Sequence, residues 1–425
     1  MRITFPYPEI KPLEIPDQNL LGIFSPSMVR IEKSEEEIID ETFSDPINSS
    51  RLSEILELCQ DVLILVDDYT RSTPTQKILP RLIKELEHRG IKPEGIRFLI
   101  ASGTHRPMTK EETLRKFGEE ISKRFPILTH DCWDSSQIVY FGETEGGTPI
   151  YVNRVVEEVD LIIGIGQIVP HRVTGFSGGG NIVQPGICGE ETTGKTHWLS
   201  AQFKGREILG KIENPVKQEI ERVAEKVGLE WIINTIQDGS GRLVEVVAGD
   251  PAQAYRKGAK RSLELYRAEL PQEADIVVAD SDPYDSELWV AAKGIYAAEL
   301  VVKQGGIVIL VTPCPEGISP SHPEVLKQGY QTFEEVEQKV RQGKIEKLTA
   351  AAHLVHVGRV IKERAKGILV SPGISKEETE RLGFIHARDP QEALEIAFSL
   401  TGRDAKVAVL QRGGEILPVI KDSVS

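Results

Sequence analysis

The chain has 425 residues, enough for two domains with separate cores, and its 40% hydrophobic and 27% charged content is that of a folded globular protein. Its net charge of −14 excludes a general nucleic-acid or anionic-membrane surface, which needs a basic face, while leaving room for a local cationic pocket. Four scattered cysteines (Cys59, Cys132, Cys188, Cys314) without a C-x-x-C pair argue against a disulfide framework or a cysteine zinc site. With no export or transmembrane run visible, the expected compartment is the cytoplasm.

Taken in order, "DVLILVDDYT" is a buried-strand run ending in two aspartates, and "TQKILPRLIKELEHRG" reads as an amphipathic helix. "IRFLIASGTHRP" and "VDLIIGIGQIVPH" are further apolar strands that run into polar loops. Next come a helix ("NPVKQEIERVAEKVG"), a hairpin turning at "DGSGR", and a helix ("PAQAYRKGAKRSLELY"). A second block begins at "ADIVVADSDP" and continues with "GGIVILVTPCPEG" and "KGILVSPG"; "AKVAVLQRGGEILPVI" fits the sheet of either block. The pattern predicts two α/β domains with largely parallel sheets, 1–270 and 271–425, divided at "ELPQEAD" with a site in the cleft between them. Polar residues follow the carboxyl ends of the strands, where ligands bind in open α/β sheets.

Residues 189–197, "GEETTGKTH", match the phosphate-loop pattern G-x-x-x-x-G-K-[ST]. A true phosphate loop needs a buried strand before it and a helix after it, so that backbone N–H groups and the helix dipole face the phosphates. Here "GGGNIVQPGIC" precedes it, with Pro185 and Gly186 where the strand should be. A different chemistry is the better reading. Three histidines lie in loops or beside a glycine run: His105 in "SGTHR", His171 in "VPHRVTGFSGGG", and His197 in "GKTHW".

Together with "DDYTRSTP" (67–74) and "AAKGI" (291–295), these motifs resemble the lactate racemase family in order and spacing over most of the chain. The resemblance implies an isomerase, a racemase or epimerase of 2-hydroxy acids that works by reversible hydride transfer to a nickel-pincer nucleotide. Inverting a carbon whose hydrogen is not acidic is difficult by proton abstraction, whereas passing through a flat ketone erases the stereocentre. Two bases are then needed, one per antipode, and imidazole suits that task. His105 and His171 match this pair, and His197 matches the nickel ligand. The resemblance also implies that Phe176, Ser177, Gly178, Gly179 and Gly180 approach the cofactor phosphate, although a tight turn without ligand would look the same. Arg71 and Lys293 match the carboxylate grips. Asp68 orients a histidine, accepts a cofactor hydroxyl or caps a turn; Thr70 and Ser72 reach the phosphate or cap the next helix. Lys195 adjoins the metal histidine and is a further candidate for the phosphate.

The sequence departs from the family at informative places. Better-known members carry, just after the glycine run, a lysine that tethers the cofactor through a thioamide; here that position is Asn181, so non-covalent binding is expected. In "SELWVAAKGI" the family's glutamine is Val290 beside Trp289, and His353 stands roughly where lactate-specific members have tryptophan. Arg172 and Arg359 are additional cations, and His356 lies on the same predicted helix as Arg359. These changes favour a malate-like dicarboxylate over lactate, with a sugar acid as an alternative. The implied partners are the small 2-hydroxy acid and the proteins that synthesise the cofactor; a homo-oligomer is compatible. Two other readings stay open: a phosphotransferase or phosphatase built on the DDYT and GKT segments, and a non-catalytic cofactor-binding homologue.

Overall fold

The computed structural model describes residues 1–421. The first sheet runs in the order Leu243–Gly249, Leu229–Gln237, Leu161–Gln167, Val62–Asp67, Ile96–Ala101, Ile127–Thr129. All neighbours are parallel except the Leu229–Gln237/Leu243–Gly249 hairpin, which turns at the expected "DGSGR". Every residue of Val62–Asp67 is buried, because a parallel sheet is covered on both faces. Alternation divides the strand's side chains. Val62, Ile64 and Val66 pack with Ile78, Leu79, Leu82 and Leu86 of the helix Thr75–His88. Leu63 and Leu65 join the core that holds Val223, Ala224 and Val227 of Pro215–Val227 and Tyr255 and Ala259 of Pro251–Tyr266.

The second sheet is wholly parallel, in the order Ile385–His386, Lys366–Val370, Val302–Val311, Ala274–Asp280, Val407–Leu410, Leu20–Phe24. Its last strand corrects the expected first domain of 1–270. Leu20–Phe24 pairs with Val407–Leu410, and Ile3, Tyr7, Ile10, Leu13 and Ile15 pack against Ile276, Val278, Ile309 and Val409. Ile3, Tyr7, Ile10, Leu13 and Ile15 are thus buried on one face of the second sheet. The final segment is shared: Val407–Leu410 lies inside the second sheet, and Leu417–Ile420 pairs with Arg267–Leu270, which ends the first block. One apolar cluster runs from Leu63 and Leu65 through Leu288 and Ile295 to Val308 and Leu310, so the two blocks meet over a continuous core.

Candidate active site

Three adjacent strands of the first sheet end side by side. Val62–Asp67 lies in the middle, flanked by Leu161–Gln167 on one side and Ile96–Ala101 on the other. The loops that leave them carry Asp68–Arg71, His171 and His105, so sheet topology places the two histidines on opposite sides of the aspartate loop. Asp68, Thr70, Arg71, His105 and His171, with His197, line one cavity. The second block contributes Trp289, Val290, Lys293 and Tyr296, and the helix Leu348–Gly358 adds His353 and His356. Arg172, Ser177, Gly178 and Asn181 complete the predicted residues found there.

Each of the three imidazoles has one nitrogen committed. His105 Nδ1 is 2.7 Å from Asp68 Oδ2. Burial alone would raise the Asp68 carboxyl, but His105, Arg71 and the Thr70 hydroxyl outweigh it and bring it down to about 2. A permanent carboxylate therefore takes the Nδ1 proton and leaves Nε2 as the basic atom. His171 Nδ1 is 3.3 Å from Thr174 Oγ1, and that hydroxyl donates to the Phe176 carbonyl at 2.8 Å. With its proton spent on a carbonyl, Thr174 can only accept from the ring, so His171 Nε2 is also a lone pair. His197 Nδ1 lies 2.9 Å from the Thr193 carbonyl, which can only accept, and its Nε2 has no hydrogen-bond partner among the described residues. Burial lowers His197 to about 4, so the ring is neutral near pH 7. Burial, reinforced by Lys293 and Arg71, also holds His171 well below the ordinary histidine range.

The cations are equally specific. Lys293 Nζ sits 3.2 Å from the centre of the Tyr284 ring, and the Arg71 guanidinium faces the same ring at 5.6 Å. Lys293 Nζ is buried without a hydrogen-bond partner among the described residues, and burial together with Arg71 pulls it well below the usual lysine value. Arg172 donates one Nη2 bond to the Phe203 carbonyl at 3.0 Å, while its Nε and Nη1 have no partner. Two basic side chains thus bring buried, unsatisfied donors to one cavity, an arrangement suited to an anion.

Several candidates fall outside the lining. Ser72 Oγ donates towards Gln167 and Gln237. Phe176 is core. Gly179 and Gly180 serve close packing: a Cβ on Gly179 would lie 2.9 Å from Tyr255 Cβ, and one on Gly180 3.0 Å from Ala224 Cβ. Gly178, at φ 87°, is the glycine of the run that does border the cavity. Lys195 is exposed, because Gly194, Lys195 and Thr196 sit inside the helix Glu190–Ala201 rather than in a loop ahead of it. That placement removes the phosphate-loop geometry. Arg359 donates to the Phe203 carbonyl and stacks on Phe333, away from the cavity. His353 lines the cavity, yet its ring nitrogens pair with the Tyr296 and Tyr330 hydroxyls at 3.3 and 3.1 Å, and burial lowers it to about 3. It is a neutral wall residue and supplies no positive charge. Trp289 is stacked between it and His322, at 4.1 and 3.8 Å.

Gln167, Asn234 and Tyr296 also line the cavity and were not anticipated. Asn234 had a readable signal, being an amide inside the apolar strand "WIINTIQ", and Tyr296 stands one helical turn beyond Lys293. No helix among the described residues is long and apolar enough to cross a membrane, and the four cysteines are free.

Residues 8–207 match the lactate racemase N-terminal domain and residues 270–417 the lactate racemase C-terminal domain. The chain is 28% identical to lactate racemase of Thermoanaerobacterium thermosaccharolyticum over 98% of both chains, and 32% identical to that of Lactiplantibacillus plantarum over 72% of both. It superimposes on the lactate racemase apoprotein of the former organism with a TM-score of 0.87 at 28% identity, covering 98% of this chain and 100% of the other. A Thermotoga maritima protein structure is similar at TM-score 0.75 and 25% identity, over 93% and 100%. A shared architecture over nearly the whole length, with the motif histidines gathered at one cavity, leads to one conclusion: the chain belongs to the lactate racemase family of isomerases.

Proposed function

We propose that this protein racemises or epimerises a 2-hydroxy acid, with a malate-like dicarboxylate preferred over lactate, using a nickel-pincer nucleotide held without a covalent bond. The observation that carries the reading is the set of three imidazoles, each with Nδ1 engaged and Nε2 free, around a cavity that also holds the orphaned donors of Lys293 and Arg172. Among the described residues no three His, Cys, Asp or Glu side chains gather as a metal site. His197 therefore fits a metal whose remaining donors come from an organic ligand. When bound, that cofactor supplies an acceptor for the α-hydride.

The chain's own residues do the rest. Arg71 and Lys293 hold the substrate carboxylate, and the anion gives Lys293 the partner it lacks. His105 takes the hydroxyl proton of one antipode at Nε2, with Asp68 stabilising the imidazolium. His171 does the same for the other antipode, its ring held by Thr174. In each direction one imidazole accepts the substrate's hydroxyl proton. The other, entering the turnover protonated, gives its proton to the product oxygen, so the two rings exchange the roles of base and acid. Burial, reinforced by the cations around His171, holds its basicity low in the empty site, and an arriving carboxylate offsets those cations and raises it. Binding thus prepares the base. Arg172 receives the second carboxylate through its unpaired Nε and Nη1, a task that neutral His353 cannot perform. Cofactor-synthesis proteins would supply the nucleotide.

The test is to load the protein with the nickel-pincer nucleotide and follow single enantiomers of malate, lactate and sugar acids for loss of optical purity. Malate should racemise fastest. Turnover of lactate alone would overturn the dicarboxylate assignment, and no turnover of any acid by nickel-loaded protein would overturn the enzyme reading. Magnesium-dependent phosphate release would instead support the phosphotransferase reading.

A further inference from the structure

Beside Asn181 lies a second lysine that the family motif does not include. Lys217 is carried by the helix Pro215–Val227 and is fully buried, its Nζ 3.5 Å from the centre of the Tyr255 ring. Nζ donates to Asn181 Oδ1 and to the Gly178 carbonyl, both at 2.7 Å. It forms no ion pair among the described residues: the nearby carboxylates, Glu213 and Glu221, are engaged by Arg256. A buried ammonium without a counter-ion is costly, and such groups either lose their proton or find an anion. Burial indeed lowers Lys217 to about 7, opposed by Glu221 and Glu213 and assisted by Arg256.

The same contact fixes Asn181. Because Nζ donates to Oδ1, the amide oxygen faces Lys217 and the NH₂ group points the other way. Asn181 lines the cavity, and its Nδ2 has no hydrogen-bond partner among the described residues. Gly178, the other atom group held by Lys217, lines the cavity as well.

We propose that Lys217 and Asn181 together replace the missing covalent tether: the Asn181 NH₂ donates to the thiocarboxylate that the cofactor retains when no lysine captures it, and Lys217 behind it supplies the balancing positive charge. The amide relays the charge, because a hydrogen bond from Nζ to Oδ1 polarises the NH₂ and strengthens its donation. No bond is made or broken. The inference rests on the cofactor assignment above, and it makes Lys217 a positioning residue that touches the ligand only through Asn181.

The test titrates full-length protein with the nickel-pincer nucleotide in its free thiocarboxylate form, following visible absorption for affinity and intact mass under denaturing conditions for covalency. The wild type should bind and then release the nucleotide on denaturation. Lys217→Met should weaken binding by about 10- to 100-fold, the worth of one charge-assisted hydrogen bond. Asn181→Asp keeps Lys217 and gives it a carboxylate partner, so it should fold at least as stably while losing affinity to the same degree. Lys217→Arg should recover part of the lost affinity. If the wild type binds and both Lys217→Met and Asn181→Asp bind equally well, the anchor is wrong and the cofactor assignment stands. A denatured wild-type mass that keeps the nucleotide also overturns it. If the wild type does not bind at all, both fall.

Discussion

Two sets of histidines face the same cavity and do opposite things. His105, His171 and His197 come from the first block, and each has one nitrogen engaged and one free. His353, in the second block, has both nitrogens engaged by tyrosine hydroxyls and lies flat against Trp289. His356 Nε2 meets Ser200 Oγ at 2.9 Å, and that hydroxyl donates to the His197 carbonyl, so this ring supports the His197 helix from behind. An imidazole is a base, a ligand or a packing plate according to what its nitrogens already touch. The first block supplies the imidazoles with an open nitrogen and the unpaired Arg172 donors, and the second supplies shape and the unpaired Lys293.

Removing the reactive set should give the largest effects. His105→Ala and His171→Ala should each lower racemisation by about 10²- to 10⁴-fold, the usual contribution of a general acid–base group. Single-turnover oxidation sharpens the point: each variant should stall one antipode and spare the other. Equal slowing of both antipodes in both variants would break the assignment of one base per face. Asp68→Asn should cost about 10²-fold or more through loss of the fixed tautomer, with substrate KM nearly unchanged. The same carboxyl, held near 2 against an ordinary 3.8, contributes stability that is present above the unfolded value and fades as pH falls from about 4 towards 2. Acid unfolding of Asp68→Asn should lack that component.

The dicarboxylate preference is tested at Arg172, which lies in the first block beside His171, by Arg172→Met. KM for malate should rise by about 10- to 100-fold while KM for lactate moves little; a parallel rise for both acids would make Arg172 structural. The proposed cross-talk between the blocks has a pH signature. Because Lys293 and Arg71 help to depress His171 in the empty site, a bound carboxylate should raise it, and activity is lost as pH falls through that value. The acid limb of kcat should therefore lie at higher pH than that of kcat/KM. The smallest effect is expected at the clasp, where Arg106, next to His105, grips Glu316 of the second block at 2.6 and 2.7 Å. Both side chains are partly exposed, so Glu316→Gln should lower the thermal midpoint by no more than about 2–4 °C.

Much of the catalytic frame was legible because strands and loops announce themselves locally. Apolar runs ending in DDYT, SGTH and VPH placed the histidine loops at strand ends, where the structure has them. The glycine run was overread. Among its three glycines only Gly178 borders the cavity, since a small residue chosen for close helix packing looks in sequence like one chosen for phosphate. Lys195 misled for a similar reason: the letters GKT match a loop pattern, but their helix turns the lysine to solvent.

By itself the sequence determined the family, the α/β alternation and the three motif histidines that meet at one cavity, all of which reside in short contiguous motifs. Tertiary structure alone decided that residues 1–24 complete the second block, that His353 is neutral, and that Lys217 stands behind Asn181. Each of these depends on contacts between segments far apart in the chain. Burial and hydrogen-bond partners, which set protonation and orientation, exist only once those segments have met.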